Sequence, residues 1–378
     1  MHQGFRLLAG LVAAGATTFA LAGTPVLANT VAGAATRSHT VYVSPRGAAG
    51  NADRSCRTAR YRSINRAIAA APRGGTVIVC RGRYRAQAVI TKSLALIGRH
   101  AVINAHGQKP ISKKLPGSSG VVVYQARDVE VRGFTVVHAG FDAILVARSH
   151  HVLVEDNVLR HNGDVGVDFN GTTGSLARRN VSELNRGGGF LIADDLGATH
   201  GDAVTWNIAR RNPGGCGVIV AGHSTAGVWG NYIAHNVITY NGLDPKSAGA
   251  GVIIATELKH ERVSGNVVLG NVIHGNGLSG VTIHAHEPFQ NLNGNKIIGN
   301  NIGRNNLLGD PIGLAPPVKA HPDMRHTGIL VGSSSRLRVL IQGNYIHNNH
   351  YGIYLNGRIH AVIRHNRFHR VRVHVKFA

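Results

Sequence analysis

The sequence predicts an all-β solenoid, a stack of short strands wound into successive coils, on three observations. The pair Asn157/Asn162 recurs with the same spacing at Asn180/Asn185, Asn207/Asn212, Asn236/Asn241, Asn271/Asn276, Asn301/Asn306 and Asn344/Asn349. Successive first asparagines lie 23, 27, 29, 35, 30 and 43 residues apart, a period in the solenoid range and uneven enough that one part of each unit tolerates insertion. After the second Asn comes a Gly that opens a short alternating apolar run, clearest at Gly166-Val-Asp-Phe-Asn, Gly217-Val-Ile-Val-Ala, Gly251-Val-Ile-Ile-Ala, Gly280-Val-Thr-Ile-His, Gly328-Ile-Leu-Val-Gly and Gly352-Ile-Tyr-Leu-Asn. Alternation with period two reads as strand, and a strand too short to bury its own face gains a core by stacking. An Asn at one turn position in every coil can supply the left-handed conformation a turn needs. Its amide can also bond to its copy in the next coil, building an internal ladder.

Taken in order, the chain opens with one basic residue, Arg6, an apolar stretch over 7–22 and the small-residue ending Val26-Leu27-Ala28. That is the pattern of a secretory signal peptide cleaved after Ala28. Residues 29–39 then read as a flexible N-terminus and 40–378 as the solenoid, exported to the extracellular side. Once the signal is removed, no stretch is apolar and long enough to span a bilayer.

Residues 61–71 carry apolar side chains at helical spacing, with Ser63 as N-cap and Pro72 as the stop. A helix there would cover the open strand edges of the first coil. Cys56 and Cys80 bracket it and suit one disulfide in an oxidising compartment, while Cys216 is left as a buried thiol. Short apolar runs at Thr40, Gly75, Ala88, Leu94, Ala101, Val121 and Val129 read as the early strands. Two insertions, 243–250 and the Pro-rich 308–326, are either walls of a binding site or neutral decoration. The stretch from His360 onward is Arg-rich and has no capping element, which leaves room for a second copy of the chain to cover it in a homo-oligomer.

These repeats and the N-terminal helix resemble the pectin-lyase-like superfamily, from about Thr40 to the C-terminus. The resemblance implies a single-stranded right-handed parallel β-helix with a short N-terminal capping helix. The superfamily includes pectate and alginate lyases, polysaccharide hydrolases, uronate epimerases, phage tailspikes and copper-site maturation proteins, so the activity has to be argued from the site. The clustered acids with an Arg or Lys base of pectate lyases have no matching motif here. The Asp-Pro-His-Asp motif of alginate epimerases is also absent, and His321-Pro322-Asp323 is a poor echo of it.

Lys and Arg number 41 against 18 acids, a formal net charge of +23. Only Asp53 is acidic between Arg46 and Arg99, no acid follows Arg358, and thirteen of the 18 acids lie between Asp142 and Glu287. Two basic ends flanking a mixed centre would attract a polyanion. Aromatic residues make up 5% of the chain and are not interleaved with the basic ones, which argues against nucleic acid bound by base stacking.

Aligning the strands on their opening Gly places equivalent residues about 4.8 Å apart along the stack. The sixth residue after the Gly then reads Thr172, Asp195, His223, Glu257, His286, Ser334 and Arg358. Asp195, His223, Glu257 and His286 form an alternating acid–imidazole row, the candidate catalytic set. Asp195 and Glu257, two coils apart, could approach the separation of an inverting carboxylate pair. A His between carboxylates is biased towards its charged form, and such a His could also serve a lyase or epimerase by proton abstraction beside a uronate carboxylate. Asp168, Asn170, Asp194, His200 and His284 are candidate substrate-binding neighbours. No metal or other cofactor is required, but His223, His284 and His286 with a carboxylate offer an alternative divalent-metal set. The row reads equally well as a solvated structural feature.

The function that follows is a secreted lyase, hydrolase or epimerase acting on an anionic polysaccharide over the middle coils. The competing reading is a non-catalytic scaffold that binds cell-wall or cell-surface polymers through its basic ends.

Overall fold

Each coil presents strands on three faces, three coils add a two-residue strand (Thr199–His200, Val228–Trp229 and Val263–Ser264), and every strand pairs only with its counterparts in the coils before and after. The computed structural model describes residues 39–47, 53–115, 117–285, 287–309 and 326–378. All strand pairings among the described residues are parallel, so the chain is an all-β right-handed parallel β-helix. The first sheet includes His150–Glu155, Leu176–Arg178, Ala203–Thr205, Tyr232–Ala234 and Val267–Leu269. The second includes Val158–Arg160, Val181–Glu183, Ile208–Arg210, Val237–Thr239 and Val272–His274. The third, which carries the candidate row, includes Val167–Asn170, Phe190–Ala193, Val218–Gly222, Val252–Thr256 and Val281–Ala285.

Alternation decides which side chains fill the barrel. Phe169, Ile192, Val220, Ile254, Ile283 and Val331 form one fully buried inward row of the third sheet, and Val154, Ala177, Val204, Ile233, Val268 and Ile297 its counterpart in the first. The repeating Gly is needed for close approach. A Cβ on Gly217 would lie 2.3 Å from Ile238 Cγ2 and 2.8 Å from the Gly251 carbonyl oxygen, and one on Gly251 would lie 2.4 Å from Ile273 Cγ2. The strand start therefore presses against an interior Ile of the second sheet, and any side chain would force the coils apart.

The asparagines form ladders, as the spacing predicts. Asn157, Asn180, Asn207, Asn236, Asn271, Asn300, Asn344 and Asn366 make one column, in which each Asn accepts from the backbone N–H and the side-chain amide of its predecessor. A second column includes Asn162, Asn185, Asn212, Asn241, Asn276, Asn305 and Asn349. The sixth pair is thus Asn300/Asn305, not the Asn301/Asn306 read from sequence; Asn301 instead pairs in a strand with Val272 and Tyr345. The left-handed residue is also not the Asn. It is the residue before it, such as Asp156, Arg179, Trp206, His235, His161, Leu184, Arg211 and Tyr240. The Asn itself is kept for its hydrogen bonds.

A third column passes through Ser175, Asp202, Asn231, Asn266 and Asn295, each accepting the backbone N–H of the residue opposite in the preceding coil.

At the N-terminal end, the helix Ile64–Ala70 is capped by Ser63, whose side chain accepts from Arg66 N–H, and it buries Ile64, Ala67 and Ile68 on the barrel. Cys56 and Cys80 are joined by a disulfide, and Cys216 is a buried free thiol. No helix among the described residues is long and apolar enough to cross a membrane. Residues 1–28, expected from sequence to be a signal peptide, residues 29–38 and most of the 308–326 insertion lie outside the described residues.

Candidate functional site

The pairing register of the third sheet aligns Val167, Phe190, Val218, Val252 and Val281, each one residue after its Gly. Asp168 and Asn170 therefore project outward, and Asp195, His223 and Glu257 follow the strands at the turn. Two of the row meet directly: His223 Nδ1 and Asp195 Oδ1 are 3.0 Å apart, with the side chains 27% and 44% exposed. Behind them Asn170 Nδ2 donates to Asp195 Oδ2 at 2.8 Å and to Asp168 Oδ2 at 3.5 Å. Asn170 Oδ1 accepts the Leu196 N–H at 2.8 Å, which fixes the amide. Asp168 and Asn170 are each only 1% exposed. They hold Asp195 from beneath and do not present a sugar-binding surface, contrary to the sequence expectation.

The electrostatics divide these groups. The hydrogen bond that His223 donates to Asp195 raises the His223 pKa to about 9, against burial. Burial pushes the Asp195 carboxyl up, but bonds from His223 and Asn170 outweigh it and leave it below its ordinary value. At neutral pH the pair is imidazolium and carboxylate. Asp168 is pushed well above the carboxylate range, by burial first and by the neighbouring Asp195 charge second. Asp142, fully buried, is raised by burial and by the charges of Asp168 and Asp164; Asp164 is raised by burial. Buried carboxyls thus stand behind an exposed ion pair.

The other expected residues separate. Glu257 is exposed and close enough to His223 to act on its charge; its backbone N–H is held by Glu261 Oε2 at 2.6 Å. Asp194 is buried and wholly engaged with the next coil. It accepts from the N–H groups of His223, Ser224 and Gly227 at 2.7, 3.1 and 2.7 Å and from Ser224 Oγ at 3.0 Å. It therefore shapes the turn that carries His223 and is not a substrate ligand. His200 stacks on Trp229 with ring centroids 4.5 Å apart, in a separate three-stranded sheet, and Arg262 lies over the other ring at 4.8 Å. His284 is buried at 2% exposure. His286 lies outside the described residues. Among the described residues no three His, Cys, Asp or Glu side chains converge as a metal site.

Sequence reasoning missed Asp142 and Asp164, which stand two residues before Ile144 and three before Val167, the paired first residues of the apolar run in consecutive coils. It also missed Glu261, whose carboxylate does for the following turn what Asp194 does for the one before.

Residues 116–311, just over half of the chain, match the family described as "Right handed beta helix region". The chain belongs to this right-handed β-helix family. No curated protein sequence matches it. Among solved structures, this β-helix is similar to pectate lyase Pel9A, with 18% identity and a TM-score of 0.61 over 86% of this chain and 79% of that one. It is similar to the A-module of the Azotobacter vinelandii mannuronan C-5 epimerase AlgE4, with 18% identity and a TM-score of 0.56 over 81% and 89%. It is also similar to PfbA, a surface adhesin of Streptococcus pneumoniae, with 12% identity and a TM-score of 0.56 over 89% and 93%. At such identities these likenesses establish the pectin-lyase-like fold, and the chemistry has to come from the β-helix's own side chains.

Proposed function

We propose that this β-helix is an exported carbohydrate-active protein that hydrolyses a polysaccharide lying across the middle coils, at Asp195 and His223. The observation that carries the reading is the 3.0 Å contact between His223 Nδ1 and Asp195 Oδ1, which keeps the imidazole charged and solvent-accessible. Nε2 has no hydrogen-bond partner among the described residues, so a charged His223 can donate from it. An imidazolium suits proton delivery to a leaving glycosidic oxygen, and a base that abstracts a carbon-bound proton would have to be neutral. In the step, the bond from the anomeric carbon to the glycosidic oxygen breaks. Its electron pair stays on the oxygen, which takes the His223 proton, and water adds to the anomeric carbon. Glu257 accepts the proton lost by water, while ionised Asp195 stabilises the positive charge developing on the sugar ring. The names of two similar structures, a pectate lyase and a mannuronan epimerase, agree with a polysaccharide substrate, and the excess of basic residues favours an anionic one. The Cys56–Cys80 disulfide supports export.

The test is incubation of the protein with a panel of polysaccharides, beside Asp195→Asn and His223→Gln. New reducing ends without unsaturated products, reduced at least about 100-fold in both variants, are expected. Unsaturated ultraviolet-absorbing products would make the protein a lyase instead. Absence of turnover on every polymer, with binding unchanged in both variants, would leave a polymer-binding scaffold.

A further inference from the structure

A second feature lies away from the carboxylates, on the outer face of the first sheet in the last coils. There a groove of about 620 Å³ is lined by Lys296, Arg336, Arg338 and His360, with Leu340 and Val362 as an apolar floor. The strand register explains it. Lys296, Leu340 and Val362 are equivalent positions in three consecutive coils, and Arg338 is paired with His360. Alternation sends all of them outward while Val339 and Ile341 fill the barrel. Lys296, Arg336 and Arg338 are exposed. No carboxylate lines the groove, and none of the three cations has a salt-bridge partner among the described residues.

We propose that this groove binds a segment of acidic polysaccharide, its carboxylate or sulfate groups paired with Lys296, Arg336 and Arg338 and its ring faces laid on Leu340 and Val362. The shape and chemistry favour that class. An aliphatic floor with Lys296 at one end of its column and Arg338 and His360 along one side matches a polymer whose rings have apolar faces and anionic edges. The volume falls in the range of about 300–1,000 Å³ typical of ligand clefts. No Phe, Tyr or Trp ring lines the groove, so it lacks the large stacking platforms that single-stranded nucleic acid uses. Guanidinium groups pair with planar carboxylates in two-pronged geometry, and the strand register holds Arg338 and Lys296 at set spacing while Arg336 sits in the irregularity between Ser333 and Leu337. The inference does not depend on hydrolysis at Asp195, and it predicts retention of polymer even where no bond is cut.

The experiment is affinity electrophoresis or titration calorimetry of the full chain with polygalacturonate, a neutral dextran and single-stranded DNA, at roughly 50 and 500 mM NaCl. The variants are the triple substitution Lys296→Ala/Arg336→Ala/Arg338→Ala and a charge-matched control Arg60→Ala/Arg66→Ala/Arg83→Ala. The expected result is tight, salt-sensitive binding of polygalacturonate but not dextran, weakened at least about tenfold by the groove substitutions and little by the control. Wild-type affinity in the groove variant, or equal loss in the control, would overturn the proposal. So would DNA that binds as tightly as the uronate and with the same dependence on the groove. Failure of hydrolysis alone would leave it standing, because the groove substitutions are read by polymer retention and not by bond cleavage.

Discussion

At the scale of single residues, the site rests on how one amide is spent. Asn170 donates to both Asp168 and Asp195 and accepts from the Leu196 backbone, so its geometry couples a buried carboxyl to an exposed one. The proton belongs on Asp168, raised by burial, and the negative charge on Asp195, held down by His223 and Asn170. Removing the amide takes away one of the bonds that lower Asp195. Asn170→Ala is therefore expected to move the acid limb of the pH–rate profile upward while leaving the alkaline limb, set by His223 near pH 9, where it is. A rate profile measured between pH 3 and 10 on the variant and the parent checks this, and an alkaline limb that moves as far as the acid one would contradict it. The contribution of His223 to stability follows the same pair. Its folded pKa is raised, so the contribution is complete below about pH 6.5 and is lost as pH rises through about 9. This level was partly legible in the sequence. The strand-opening Gly residues set the register correctly, which brought Asp195 to His223. Burial was not legible: nothing in the local pattern says that Asp168 and Asn170 would be closed off from solvent, or that Asp194 would be consumed by the next turn.

At the scale of the repeating element, the ladders show what a column demands of its members. Asn can accept from the coil behind and donate to the coil ahead at once, and so survives burial without an orphaned group. The Asn157 and Asn162 columns were readable because the same residue recurs at the same spacing. The doublets Asn300-Asn301 and Asn305-Asn306 hid which member was in register, since the backbone decides by one residue what composition cannot. The third column was invisible because its members are Ser175, Asp202, Asn231, Asn266 and Asn295, which share an acceptor oxygen while the first two break the run of Asn. Asp202 is its weak member. It accepts from the Ser175 N–H and Thr172 Oγ1, each at 2.6 Å, and as a carboxylate it has no side-chain donor for Asn231. Burial raises its pKa to about 7 against those two bonds. The folded state therefore holds a proton that the unfolded state releases, and stability falls as pH rises from about 4 to about 7. Asp202→Asn removes that dependence and restores the missing donor. It is expected to stabilise the protein by on the order of 3 kcal/mol at pH 8 and by much less at pH 4. Chemical denaturation at the two pH values measures the difference, and a variant no more stable at pH 8 than at pH 4 relative to the parent would refute it.

At the scale of the whole molecule, a stack of coils that touch only their neighbours distributes its stability along the axis. The middle coils have every advantage: inward rows without exposure, ladders satisfied on both sides, and Gly-spaced close contact. The first coil is closed by the helix Ile64–Ala70 and crossed by the Cys56–Cys80 disulfide. The last coil differs. Its inward residues Ile359, Ala361, Ile363, Phe368, Val371 and Val375 are only partly buried. Its ladder member Asn366 donates back to the Ile341 carbonyl, and among the described residues no later Asn continues the column. Both ends carry strongly basic surface, and that charge opposes close packing of any like-charged copy against them at low salt. Opening should therefore begin at the C-terminal coil and move inward, because each coil lost exposes the next ladder rung without disturbing those beyond it. Native-state hydrogen exchange read by peptide is expected to show protection rising from 359–378 towards the coils between Asn157 and Asn300. The peptide holding Ile64–Ala70 should exchange more slowly than the C-terminal one. Uniform exchange along the chain would mean that the solenoid opens as one cooperative unit, and the coil-by-coil account of its stability would fail.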